Sequence, residues 1–157
     1  MRKALVFLSC GQRAGEREIA KQIKQIIETE FGMNCYNADL VQGFDDVMSI
    51  TDQLSKADYY LFIDFKRTVT TDDPIPISVF SHQEFALARA WGIDEVIAFQ
   101  EQGLKSYGMR RYVLAHPIIF TRENLLEKIR DEVRKRWKKI TRVIWSSTDC
   151  SPCRLGS

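Results

Sequence analysis

The sequence predicts an α/β fold in which helices cover both faces of a five-stranded parallel sheet. Strand-like and helix-like segments alternate along the chain, an order typical of βαβ units. The strand-like segments are continuous apolar runs, as expected for strands buried on both faces. The 157 residues, 45% hydrophobic and 28% charged, fit an ordinary globular domain and exclude disordered, collagen-like and coiled-coil proteins.

Five strands and four helices are predicted. The strands are residues 3–9, 34–38, 59–65, 95–99 and 117–120. The helices are residues 15–31, 45–56, 81–91 and 122–139. The third strand, YYLFIDF, is the most apolar and is therefore predicted to be central. Together these elements predict a flavodoxin-like three-layer sandwich.

Helical periodicity and end signals place the first and last helices. The first carries Ile19, Ile23, Ile26 and Ile27 at helical spacing, and Gly32 follows it as a C-cap residue. The last carries a stripe of Leu125, Ile129, Val133 and Trp137, with Thr121 as the expected N-cap. Such stripes predict helices that pack one face against the sheet.

The two middle helices are placed by their ends. Asp45 or Asp46 is the expected N-cap of the second helix. The third helix is expected to begin at Ser81 and to stop at Gly92. The polar loop of residues 66–77 that precedes it is long for an α/β connection, which makes it a candidate lid or binding loop.

Residues 1–145 are predicted to form the α/β domain and residues 146–157 a tail or linker. The tail holds Ser, Thr, Asp, Pro and Gly without apolar periodicity, so it is not expected to pack. No stretch reaches the roughly 18–20 apolar residues of a membrane span. The short N-terminal apolar run is read as a strand rather than a signal peptide, and we expect a cytoplasmic protein without a membrane partner.

Charge and cysteine content favour neither a nucleic-acid partner nor a metal. The net charge is +2, although residues 122–142 hold nine basic and four acidic residues. A basic helix end is usually solvated and favoured by the helix dipole. Cys150 and Cys153 form a single C-x-x-C, which supplies two of the four ligands that zinc needs. Cys10 and Cys35 are expected to be free thiols.

Several common enzyme motifs are missing. The segment after the first strand, SCGQRAG, contains neither G-x-G-x-x-G nor a P-loop Lys-Ser/Thr. The chain has two histidines, His82 and His116, and no G-x-S-x-G motif. The sequence therefore disfavours a dinucleotide-binding dehydrogenase, a P-loop nucleotidase and a Ser-His-Asp hydrolase.

The segment FSHQEFALARAW (residues 80–91) suggests where a site lies. On a helix, Phe80, Glu84, Leu87/Ala88 and Trp91 share one stripe, which predicts that Glu84 faces the sheet. Ligands of such folds bind beyond the carboxyl ends of the strands. Two interpretations stay open: a capping box in which Glu84 reaches back to Ser81, or a carboxylate at the mouth of a cleft that holds a ribose.

Three short motifs resemble those of TIR (Toll/interleukin receptor-like) domains, in the same order. VFLS (residues 6–9) is similar to the opening F-x-S box, and DLVQG (residues 39–43) to the R-D-x-x-P-G loop. FSHQEF (residues 80–85) resembles the W-C-x-x-E signature of the helix that bears the glutamate. The resemblance covers residues 3–139, and a more distant one is to nucleoside 2-deoxyribosyltransferase-like enzymes.

The resemblance implies an effector domain that cleaves the nicotinamide–ribose bond of NAD(P), with a role in prokaryotic defence signalling. NAD(P) is then the substrate, and no cofactor is expected. Glu84 is the implied catalytic residue, because a carboxylate stabilises the oxocarbenium-like ribose. Nicotinamide is already a good cationic leaving group, so no general acid is obligatory. The implied substrate-binding residues are Phe7, Ser9, Arg13, Gly43, Phe44, Asp64 and Ser81, with Lys66 or Arg67 as further candidates for the diphosphate.

Two other functions remain open. Some TIR domains are non-catalytic modules that signal by self-assembly. A deoxyribosyltransferase would use a further aspartate near the ribose, for which Asp64 is the candidate. Catalytic TIR domains complete their site between subunits, so the resemblance also implies a homo-oligomer or a sensor domain in the same protein as partner.

Overall fold

The computed structural model describes residues 2–11, 13–37, 44–69, 71, 79–104 and 116–137, and for residues 14, 44–48 and 79–81 it describes the backbone alone. The described residues form a five-stranded sheet in the order β2-β1-β3-β4-β5. Every pairing is parallel. The predicted fold class, a flavodoxin-like α/β sandwich, is confirmed.

The described elements follow the predicted order. The strands are β1 (Leu5–Ser9), β2 (Asn34–Asn37), β3 (Tyr59–Asp64), β4 (Val96–Glu101) and β5 (Ile118–Phe120). The helices are α1 (Ala14–Thr29), α2 (Phe44–Lys56), α3 (Val79–Ala90) and α4 (Leu125–Arg136). All six residues of β3 are buried, and β3 is the central strand of the sheet, as predicted.

The strand order creates a crevice between β1 and β3. The chain leaves β1 toward β2 on one side and later returns to β3 on the other side. The loops that follow β1 and β3 therefore diverge at the carboxyl edge of the sheet. This is the point at which ligands bind in open α/β sheets.

Two apolar cores cover the two faces of the sheet. One includes Ile23 and Ile27 of α1 and the predicted α4 stripe, and it ends at Trp137, whose ring stacks on Tyr59 at 4.5 Å. The other packs residues of α2 and α3 against the aromatic side chains of β1 and β3. The sheet-facing stripes predicted for the first and last helices are confirmed.

The stripe predicted for the third helix is partly wrong. Leu87 and Trp91 are 41% and 43% exposed, whereas Glu84, Phe85 and Ala88 are buried. The buried face is therefore turned toward Phe85, because the aromatic core of β1 and β3 takes up that ring. Gly92 ends the helix as predicted, with φ of 73°.

Helix starts also differ from the sequence-based bounds. α2 begins at Phe44 and α3 at Val79, so Asp45 and Asp46 lie inside the first turn of α2. α4 begins at Leu125, and its N-cap residue is Asn124 rather than Thr121. The Thr121 amide donates to the Asn124 side chain at 2.9 Å, within the four residues that separate β5 from the helix.

Several expectations fall outside the described residues: the tail of residues 146–157, the domain boundary at 145, Cys150 and Cys153. Cys10 and Cys35 are free and buried, and burial raises the pKa of each thiol to about 12. No helix in the described part of the chain has the length and apolarity to cross a membrane.

Candidate functional site

Glu84 lies at the carboxyl edge of the sheet, in the second turn of α3, and is 3% exposed. Ser9, the last residue of β1, donates its hydroxyl proton to Glu84 Oε2. The other oxygen, Oε1, has no hydrogen-bond partner among the described residues. One oxygen is thus fixed by the end of β1, while the second is buried without a hydrogen-bond partner in the described part of the chain.

The surroundings of Glu84 favour its neutral form. Burial raises the pKa of the Glu84 carboxyl from 4.5 to about 7, although the hydrogen bond from Ser9 opposes the rise. The buried Tyr60 hydroxyl has its pKa raised well above 10, first by burial and then by the Glu84 charge, with Ser9 opposing. A carboxylate that titrates near neutral pH is typical of acid–base and electrostatic catalysis.

The capping-box interpretation of Glu84 is wrong. A capping box needs the glutamate at the third helical position, and α3 begins at Val79, which makes Glu84 the sixth residue. Its carboxylate instead crosses to β1 and accepts the Ser9 hydroxyl. Glu84 is therefore buried by tertiary packing and not by a local helix-end contact.

A second polar pair lies beside the first on the same face of the sheet. His82 Nε2 faces Asp64 Oδ2, at the end of β3, at 3.5 Å. The two side chains are 12% and 1% exposed, and the imidazole ring stands edge-on to Phe62 at 5.6 Å. Burial lowers the pKa of His82 below its usual value of 6.5, which favours the neutral ring.

A buried ion pair occupies the opposite face of the same edge. Arg67, which follows β3, donates Nε and Nη2 to the two oxygens of Glu16 on α1, at 3.1 and 2.8 Å. The Arg13 amide donates to Glu16 Oε2 at 3.1 Å. A Cβ atom at Gly11 would overlap with the Glu16 carboxylate. The loop after β1 is thereby fastened to the segment after β3.

The segment after β3 is held on its other side as well. The Lys66 amide donates to Glu101 Oε2 at 2.7 Å, and Arg122 Nε donates to Glu101 Oε1 at 3.0 Å. The Arg122 guanidinium also lies 5.3 Å from the centre of the Phe65 ring. Two carboxylates, Glu101 and Glu16, therefore anchor the start of the long loop.

The structure brings three of the predicted site residues to one edge. Ser9 and Glu84 are in contact, and Asp64 lies on the neighbouring strand facing His82. Phe7 is fully buried beneath them, stacked on Tyr60 with ring centres 5.7 Å apart.

Two further candidates that the structure describes, Arg13 and Arg67, do not join this group. Arg13 is exposed at the start of α1, where its amide binds Glu16. Arg67 is committed to Glu16. Gly43 and the side chains of Phe44 and Ser81 lie outside the described residues.

Sequence reasoning missed Glu16, Tyr60 and the pairing of His82. A signal existed for Glu16, since it continues the buried face of α1 through Ala20 and Ile23 at helical spacing. The pairing of His82 carries no such local signal, because it depends on where the end of β3 meets α3. Among the described residues, no three His, Cys, Asp or Glu side chains form a group that could hold a metal.

Comparison with solved structures places the fold among known α/β proteins. A CMP N-glycosidase from Clostridium botulinum is 20% identical, with a TM-score of 0.57, over 80% of this chain and 98% of that one. A prokaryotic SEFIR domain is 15% identical, also with a TM-score of 0.57, over 86% of this chain and 99% of that one.

These structures support the TIR-like, flavodoxin-like architecture. They give no support to the distant deoxyribosyltransferase resemblance. No protein-family model matches the chain, and no curated protein matches it.

Proposed function

We propose that this protein is a nucleotide N-glycosidase that cleaves the nicotinamide–ribose bond of NAD(P), with Glu84 as the catalytic carboxylate. The observation that carries the proposal is the buried Glu84 at the carboxyl edge of the sheet, held by Ser9 through one oxygen. Its second oxygen has no partner in the described part of the chain. A buried carboxylate without a cationic partner is costly, and its position at the end of β1, where open α/β sheets bind ligands, supports a functional role.

The reaction suits a single carboxylate. When the C1′–N bond of NAD(P) breaks, the ribose develops oxocarbenium character, and nicotinamide leaves as a neutral molecule. Ionised Glu84 stabilises the developing positive charge in a site with little water, where electrostatic interactions are strong. Ser9 fixes the carboxylate before the substrate arrives, which lowers the cost of reorganisation.

A second candidate substrate is a nucleoside monophosphate. The similar CMP N-glycosidase supports the same class of bond cleavage with a different base. A neutral pyrimidine needs a proton in order to leave, and Glu84, whose pKa burial raises to about 7, supplies one from its protonated form. The similarity to a SEFIR domain supports a non-catalytic assembly module as the alternative to an enzyme.

The test is incubation of the full chain with NAD, NADP or CMP, followed by chromatographic quantification of the released base. We expect nicotinamide release that Glu84→Gln lowers by roughly 10²–10³-fold, the usual loss when one electrostatic contact to the transition state is removed. The kcat/KM for NAD should rise through pH 7 and level off above it, because the ionised carboxylate is the active form. A CMP activity that falls over the same range assigns Glu84 as a general acid and favours the second candidate.

Glu95→Gln is the matched control, because Glu95 is an exposed glutamate at the opposite edge of the sheet. It should keep full activity. If neither base is released by the wild-type chain at high concentration, or if Glu84→Gln stays fully active, the proposal is wrong. The first of these results would favour the assembly module.

A further inference from the structure

The Asp64–His82 pair has no part in the chemistry assigned to Glu84, yet it lies at the same crevice. Ser9 pairs in register with Phe62, so Asp64 lies on the neighbouring strand two residues closer to the carboxyl edge. With strands about 4.8 Å apart and about 3.3 Å of rise per residue, the Cα atoms of Ser9 and Asp64 are about 8 Å apart. α3 crosses the ends of β1 and β3. It places Glu84 against Ser9 at the end of β1 and His82 against Asp64 at the end of β3.

The environment of His82 suits a base. Its Nε2 is buried and makes no hydrogen bond to the described residues, but it faces the Asp64 carboxylate at 3.5 Å. A neutral imidazole beside a carboxylate carries its proton on the nitrogen that faces the carboxylate, so that Nδ1 is the ring nitrogen with a lone pair that can accept a proton. Contacts of this kind are often long before substrate binds. Among the described residues, the other titratable side chains on this face include Tyr36, Tyr60 and Glu84, and the pKa values of Tyr60 and Glu84 are raised.

We propose that His82, oriented by Asp64, is the general base that activates the water molecule attacking C1′ of the ribose. This inference rests on the proposed N-glycosidase function and adds to it the group that completes hydrolysis. The exposed 12% of the His82 side chain gives solvent a route to the ring.

The step balances without any further reactant. The bond between C1′ and the nicotinamide nitrogen breaks, and its electron pair stays on the nitrogen. A water oxygen forms a bond to C1′ as His82 Nδ1 takes one of the water protons. The imidazolium then returns this proton to solvent, so that NAD and water give ADP-ribose, nicotinamide and a proton. Asp64 is a positioning residue that fixes the tautomer and stabilises the transient imidazolium.

The inference is tested by chemical rescue with azide, an anionic nucleophile that needs no base. In His82→Ala and His82→Gln, hydrolysis of NAD should fall by roughly 10²–10⁴-fold, the usual contribution of a general base. Added azide should restore nicotinamide release and yield the glycosyl azide. Glu84→Gln should stay inactive with azide, because it cannot stabilise the oxocarbenium-like ribose.

The controls separate this inference from the function on which it rests. His116→Ala removes an exposed histidine outside the site and should behave as the wild type, and melting temperatures identify any variant that does not fold. An inactive wild-type chain overturns the proposed function and the inference with it. If the wild type is active, the proposed function stands and two results would overturn the inference alone. One is that both folded His82 variants hydrolyse NAD at the wild-type rate, and the other is that azide fails to restore nicotinamide release by these variants.

Discussion

At the scale of single residues, two buried carboxylates at the carboxyl edge of the sheet have different surroundings: Glu84 in the candidate site and Glu16 on the opposite face. Glu84 is held by a neutral hydroxyl group, so burial is not offset by a positive charge and its pKa rises to about 7. Glu16, equally buried on the other face, is paired with a guanidinium through two hydrogen bonds. The fold therefore pairs one carboxylate with a cation for a structural role and leaves the other without one.

Replacing Glu84 should make the protein more stable above neutral pH. Below pH 4.5, Glu84 is protonated in the folded and unfolded states. As the pH rises from 4.5 to about 7, the unfolded state loses the proton first, so the wild type loses stability, by about 3 kcal/mol in total. Glu84→Gln does not have this pH-dependent loss of stability, because its side chain does not ionise. Its advantage in free energy of unfolding, measured by urea denaturation, should grow between pH 5 and pH 8.

His82 does not confound this comparison. Its lowered pKa gives stability that is present above 6.5 and is lost as the pH falls, in wild type and variant alike. It therefore cancels in the difference between the two proteins. A pH-independent difference would mean that Glu84 is not desolvated in the folded state.

At the scale of elements, the Glu16–Arg67 ion pair constrains the conformation of the loop after β1. Gly11 lies directly against the Glu16–Arg67 pair, and a Cβ atom there would overlap with both side chains. This loop continues from Ser9, which holds Glu84. The ion pair on one face of the sheet thereby fixes the backbone that leads out of the candidate site on the other face.

Substitutions at Gly11 and Gly15 distinguish the effect of a close contact with the ion pair from the effect of helix propensity. Gly11→Ala should lower the free energy of unfolding by about 1–3 kcal/mol, since the ion pair must shift to admit a methyl group. Gly15→Ala, in the first turn of α1, meets nothing within 4 Å and should raise it by up to about 1 kcal/mol. Thermal or urea denaturation measures both changes. Equal effects at the two positions would contradict the close approach at Gly11.

At the scale of the whole molecule, the two cores serve different purposes. The core under α1 and α4 is aliphatic and aromatic and extends to Trp137. The core under α2 and α3 is smaller, rich in aromatic rings, and ends at Ser9, Asp64, His82 and Glu84. The candidate site thus forms where the second core reaches the edge of the sheet.

The expected homo-oligomer gives a prediction at this scale. If the site is completed between copies, nicotinamide release should increase faster than linearly with protein concentration, because the fraction assembled rises with concentration. The measurement is the specific rate over two decades of concentration, with scattering mass determined at each point. A constant specific rate would show that one copy is sufficient.

The sequence by itself determined the fold class and its element order. Apolar strands, helical stripes and the helix end at Gly92 are local signals. A strand buried on two faces needs a continuous apolar run, and a helix buried on one face needs apolar residues at helical spacing. The same periodicity placed Glu84 toward the sheet. It also extended the buried stripe to Leu87 and Trp91, which are exposed, because periodicity fixes the spacing of a face but not its rotation.

Only the tertiary structure decided what the polar residues at the edge contact. Glu84 matched a capping box in sequence, but α3 begins two residues earlier than predicted. The Glu84 carboxylate instead contacts Ser9, which lies 75 residues away in the chain. Glu16 and Arg67 are likewise brought together by strand order, and His82 meets Asp64 where α3 packs against the end of β3. Such pairings depend on which strand ends are neighbours, and a parallel sheet sets that by its crossover connections rather than by any local pattern.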